Sequence, residues 1–206
     1  MIDFYTYPGP NSRKAQIMLE ETGVEYTLRK VDITKGEQFN PLFLKISPNN
    51  KIPAIVDHTP GGPVAVFETA AVLLYLAEST GRLLPTEPVA RANTMSWLIW
   101  GTSSLGGALP QLHHFSDAAE QLPSAIERFT SDCVRMFKVQ EKRLSEVEFL
   151  AGDYSVADIP SFCSTAGWLA RVKALSNGAL GDTASTDRWL KAVGERPAVQ
   201  KVMAGG

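Results

Sequence analysis

Three short stretches of the chain carry polar groups and backbone signals that could serve recognition. In "KISPNNKIPAIV", residues 45–56, two turn-forming asparagines and Lys51 precede an Ile52-Pro53 pair and a short apolar run. Proline cannot donate to a sheet ladder and belongs at strand starts or edges. A cis bond before Pro53 would turn the Ile52 N–H and C=O toward a cleft, where an extended peptide could pair with them as an added strand. A trans turn that merely starts a strand is the alternative. In "FET", residues 67–69, Thr69 opens a strong helical pattern. Its hydroxyl and N–H suit a carboxylate at a helix N-terminus, and Glu68 suits a neighbouring ammonium, so together they fit an α-amino acid end. Simple helix capping accounts for the same two residues. In "PGPNS", residues 8–12, the Asn11 amide and a helix N-terminus could stabilise a thiolate. No cysteine lies there, so the thiol would arrive with a ligand; otherwise Asn11 is a plain N-cap.

Other polar groups carry less. "LAGDYSVADI", residues 150–159, reads as a capping box, Ser155 with Asp158 three residues on, and Tyr154 placed to staple onto Ile159. That is folding information. "HHF", residues 113–115, invites a metal, but adjacent histidines on a helix do not share a face and no further ligands complete a site. Phosphate loops, GxSxG and paired-carboxylate signatures are missing. Cys133 and Cys163 sit in apolar helical patterns and read as small core residues.

These stretches need elements to hold them. "MIDFYTY" is a short strand ending at a breaker cluster, and "NSRKAQIMLEETG" has helical spacing from Asn11 to Gly23. "VEYTLRKVDI" alternates as a second strand. The polar stretch that follows allows at most a short helix after Pro41. "PAIVDH" and "PVAVFE" flank the turn "TPGGP", and "ETAAVLLYLAESTG" is a helix ending at Gly81. The order fits a thioredoxin-like α/β layer (βαβαββα) over residues 1–82. From about Val89 strands disappear, and residues 88–206 read as an all-helical C-terminal domain.

At 206 residues, with 44% hydrophobic and 20% charged residues, the chain can build one large core or two small ones. A formal net charge of -2 gives no reason to expect nucleic acid or an anionic membrane as partner. There is no signal-peptide pattern and no apolar run long enough to span a bilayer, and the cysteines form no CxxC. A cytoplasmic location with reduced thiols is expected.

Ile52-Pro53, Glu68-Thr69 and the Ser155–Asp158 box, in this order on this layout, resemble the glutathione transferase family over essentially the whole chain. "GEQFNPLFLKISPNNKIPAIVDH", "FETAAVLLYLAE", "HHF" and "AIERF" are similar to its Nu-class-like branch of bacterial disulfide-bond oxidoreductases. The resemblance implies that Pro53 is cis and that Ile52 pairs with the cysteinyl backbone of glutathione. It implies further that Glu68 and Thr69 hold the γ-glutamyl end, that Gln38 and Lys51 reach toward the glycyl end, and that Asn11 lies beside the sulfur as the catalytic group. Arg128 matches a position that in related dimers reaches the neighbouring subunit's ligand. The implied protein is a cytosolic homodimer that uses glutathione and no metal, reducing a disulfide or conjugating an electrophile. One departure is Gly9, where the branch usually has a threonine hydroxyl for the sulfur; Tyr5, Tyr7 and Ser12 are candidate replacements, and a glutathione binder without turnover is the rival reading. A second is "WGTSSLGGALPQ", residues 100–111, whose wording differs from the family's where an acceptor pocket is implied.

Overall fold

The computed structural model describes residues 1–205 and divides into two compact units. Met1–Leu84, with the chain from Arg196 onward, form one; Pro85–Glu195 form the other.

The first unit is a four-stranded mixed sheet in the order β2-β1-β3-β4. β1 (Ile2–Thr6) runs parallel to β2 (Tyr26–Lys30) and antiparallel to β3 (Ala54–Thr59), which pairs antiparallel with β4 (Gly62–Phe67). Helix α1 (Pro10–Thr22) links the parallel pair, as a parallel connection requires. Alternation along β1 sends Ile2 and Phe4, both buried, to one face and Tyr5 to the other. There Tyr5, Ile46 and Ile52 pack around Val31, Phe43 and Ala54, Phe43 coming from the short α2 (Pro41–Leu44). Helix α3 (Thr69–Thr80) stops at Gly81, whose φ of 65° suits a residue without Cβ.

Two expectations change here. The N-cap of α1 is Gly9, not Asn11: Arg13 N–H donates to the Gly9 carbonyl at 3.1 Å, and Pro10 takes the first helical position. Proline lacks an N–H and has a preset φ, so it starts a helix readily and leaves Asn11 at the second helical position. The last helix, α9 (Pro197–Ala204), groups with the α/β unit and not with the helices before it. Arg196 grips the Glu21 carboxylate of α1 at 2.6 and 2.9 Å, and Lys201 holds Glu20 at 2.7 Å.

The second unit is helical: α4 (Pro88–Ile99), α5 (Gly106–Asp117), α6 (Pro123–Glu146), α7 (Asp158–Leu175) and α8 (Ala184–Gly194). Its core gathers Leu105, Leu109, Leu112, Met136, Phe137 and Val172. The expected capping box forms in modified shape. Asp158 reaches back to the Ser155 N–H at 3.0 Å, while the Ser155 hydroxyl accepts from Ala157 N–H at 3.3 Å. Tyr154 sets its ring edge-on to Phe149, 5.5 Å between centroids.

Between α4 and α5, Trp100–Leu105 form a π-helical turn that the sequence did not announce. Such turns are rare and frequently lie at functional sites. Gly101 is buried here, and a Cβ on it would run into the Ser161 hydroxyl of α7, itself buried and without a hydrogen-bond partner among the described residues. Gly101→Ala should therefore destabilise the protein by about 1–2 kcal/mol through overpacking. Adding Ser161→Ala should restore most of that, because the two groups compete for one space. Thermal unfolding of both variants is the check; equal loss in the double variant would show that the clash lies elsewhere.

Candidate functional site

Strand register brings the singled-out segments together. Ala54, first residue of β3, pairs with Tyr5 near the end of β1 and with Phe67 at the end of β4. The chain leaving β1 toward Asn11, the chain entering β3 through Ile52-Pro53 and the chain leaving β4 into Glu68-Thr69 thus meet at one end of the sheet.

At that end the Ile52-Pro53 peptide is cis. The Ile52 side chain is anchored among Tyr5, Phe43 and Ala54, but among the described residues no backbone hydrogen bond uses its N–H or C=O. An apolar anchor under an open backbone is what strand addition requires. Upstream, the loop is held by the Ser47 hydroxyl, which donates to the Lys51 carbonyl at 2.8 Å. Lys51 itself is exposed.

Glu68 has φ 69° and ψ 128°, a conformation that non-glycine residues rarely adopt. Strain of this kind amounts to about 1–3 kcal/mol and clusters at ligand sites. Its carboxylate accepts from the Asn49 side chain at 3.0 Å. Val72 N–H makes the first helical bond, to the Glu68 carbonyl at 2.9 Å, and no side chain caps α3. The first-turn N–H groups, beginning with that of Thr69, therefore stand open to an anion.

Asn11, exposed on the first turn of α1, accepts from the Lys14 ammonium at 2.9 Å. Lys14 is only 3% exposed, and the sequence reading passed over it. Its position three residues after Asn11 was the available signal. Gly9 has an extended φ of 164°, and a Cβ there would come no nearer than 4.0 Å to the Tyr7 carbonyl, so a larger residue has room. Of the three candidate hydroxyls, Tyr5 stacks obliquely on Phe43, Ser12 has its oxygen buried without a partner among the described residues, and Tyr7 carries the Lys30 ammonium 5.6 Å over its ring.

Gln38 stands on the turn before α2 with its side-chain oxygen buried and unpartnered among the described residues. Arg128 lies on α6 of the helical unit, paired with Asp132 at 3.2 Å. Cavity size does not mark this end of the sheet: a groove of 980 Å³ along α6 is lined by none of the singled-out residues. Neither cysteine offers a nucleophile. Both are buried, and burial with help from Asp132 pushes the Cys133 thiol up to about 12. His113 joins Asp117 at 2.8 Å, and Arg171 of α7 holds the same carboxylate, so the pair-of-histidines motif clips α5 to α7. No cluster of three potential metal ligands exists among the described residues.

A thioredoxin-like sheet with an open strand start beside an uncapped helix N-terminus, followed by a helical unit, defines a glutathione-transferase fold. Residues 8–79 match the family model "Glutathione S-transferase, N-terminal domain". The disulfide-bond oxidoreductase YfcG of Escherichia coli is 50% identical over 173 residues, 82% of this chain and 80% of that protein. YghU, a disulfide-bond oxidoreductase of the same bacterium, is 37% identical over 97% of this chain and 73% of its own length. A glutathione transferase family member from Pseudomonas fluorescens, solved with two glutathione bound, superposes with a TM-score of 0.90 at 35% identity, covering 98% of this chain and 92% of that one. The chain belongs to the glutathione transferase family.

Proposed function

We propose that this protein is a glutathione-dependent disulfide-bond reductase. The carrying observation is the meeting, at one sheet end, of the open Ile52 backbone with the uncapped α3 start and the Glu68 carboxylate. A γ-glutamyl group matches the latter pair: its ammonium on Glu68, its carboxylate on Thr69. The cysteinyl unit pairs with Ile52 behind Pro53, Lys51 and Gln38 serve the glycyl carboxylate, and Asn11 faces the sulfur. The names of the two bacterial relatives favour disulfide reduction.

In this scheme the bound thiolate attacks one sulfur of a disulfide, forming a mixed disulfide while the departing thiolate takes up a proton. A second glutathione attacks the mixed disulfide, releasing the second substrate thiol and glutathione disulfide. Electrons come from the two glutathione thiols alone, and no metal or protein cysteine takes part. The working assembly is a cytoplasmic homodimer in which Arg128 serves the neighbouring subunit's ligand. Among the described residues no helix is long and apolar enough to cross a membrane.

The test assays purified protein with glutathione against a model disulfide and against an aryl halide. Dominant reduction supports the proposal; dominant conjugation replaces it with a transferase, and neither, despite glutathione binding, leaves a binder. The space at Gly9 supplies a further prediction. Gly9→Thr should place a hydroxyl beside the sulfur and raise turnover roughly fivefold, the worth of one hydrogen bond of about 1 kcal/mol. Unchanged turnover and thiol pKa would show that the sulfur does not sit beside residue 9.

A further inference from the structure

We infer that Lys14 is a positioning residue for the thiol chemistry, acting through Asn11; this rests on the glutathione reading given above. Lysine is rarely buried, yet Lys14 is 3% exposed, one turn into α1, with its ammonium 2.9 Å from Asn11 Oδ1. An ammonium has donors only, so it selects the oxygen of the Asn11 amide. The NH2 end is thereby turned away from Lys14, on a side chain that is itself exposed. A thiolate needs that donor end; an amide free to flip would present its oxygen part of the time and repel the charge. The cation also polarises the amide through the shared hydrogen bond and adds positive potential at the start of α1, where thiolates are stabilised.

Lys14 thus sets which face of Asn11 the ligand meets, without touching the ligand. Two consequences separate this from a packing role. The thiol pKa of bound glutathione should depend on Lys14, whereas binding of S-methylglutathione, which has no thiol to ionise, should not.

The experiment titrates bound glutathione by thiolate absorbance in the wild type, Lys14→Met, Lys14→Arg, Asn11→Ala and the Lys14→Met/Asn11→Ala pair, with S-methylglutathione affinity measured alongside. Lys14→Met should raise the thiol pKa by about one unit. S-methylglutathione affinity should stay within about twofold. Turnover at neutral pH should fall and recover as the pH is raised, while the KM for glutathione barely moves. Lys14→Arg should restore most of the shift. In the Asn11→Ala background the Lys14→Met shift should shrink, since the two act as one unit. An unchanged pKa in Lys14→Met, or full additivity with Asn11→Ala, would overturn the inference. Should Lys14→Met not fold, Lys14→Gln carries the same comparison, removing the charge while keeping a polar side chain. Failure of the wild type to bind S-methylglutathione would instead bring down the glutathione reading, and this inference with it.

Discussion

Asp158→Ala should lower the stability of this protein by about 4 kcal/mol, a large share of what a folded domain has. Asp158 is fully buried at the start of α7. One carboxylate oxygen accepts from Leu150 N–H at 3.0 Å and from the Trp189 indole N–H at 2.9 Å; the other accepts from Ser155 N–H at 3.0 Å. Alanine leaves those three donors buried and unpaired, each worth roughly 1–3 kcal/mol. For a chain of this length the unfolding midpoint should fall by about 10 °C. A fall of only a few degrees in a thermal melt would mean that water replaces the carboxylate.

The same group gives a pH signature. Burial pushes the Asp158 pKa up to about 6 from the ordinary 3.8, outweighing the N–H donors of Leu150, Trp189 and Ser155 that pull it down. The folded state therefore binds this proton more tightly than the unfolded state. Its contribution to stability is fully present below pH 3.8 and is lost as pH rises through 6. Relative to Asp158→Asn, which cannot titrate, the wild type should lose about 2 kcal/mol between pH 4 and pH 6. Parallel stability curves for the two proteins would sink the assignment. The comparison is needed because Asp3 and Glu141 have lowered pKa values, so their contributions run the other way: present at neutral pH and lost as pH falls.

Glu68→Ala should weaken glutathione binding about thirtyfold, the equivalent of about 2 kcal/mol for a hydrogen bond to a charged group. Stability should barely change, because Glu68 is exposed and its bond to Asn49 is a surface contact. Glu68→Gly separates recognition from backbone strain. With φ at 69°, glycine should relieve the strain and stabilise the fold by about 1 kcal/mol, while losing as much affinity as alanine does. Calorimetric titration of both variants with glutathione decides the matter. Retained affinity in either would remove Glu68 from the site.

Much of this protein is determined by its sequence alone. Breaker clusters and apolar periods mark the strands and helices of both units, because turn chemistry and helix spacing are local properties that neighbouring residues settle among themselves. Ile52-Pro53, Glu68-Thr69 and the Ser155–Asp158 box are legible for the same reason. Each is a short stretch with a backbone consequence close at hand.

Tertiary structure decided what depends on residues far apart in the chain. Pairing of Ala54 with both Tyr5 and Phe67 gathers three loops at one sheet end, and register of that kind is a long-range choice. Glu68 takes its unusual φ in the single-residue step between the end of β4 and the start of α3. Pro10 took the first position of α1 and left Asn11 to Lys14, a pairing that spacing allowed and burial selected. The π-turn at Trp100–Leu105 arises where Gly101 must pass close to Ser161, and α9 joins the α/β unit through the Arg196–Glu21 grip. Local patterning chose the elements; packing between distant residues chose which side chains meet at one end of the sheet.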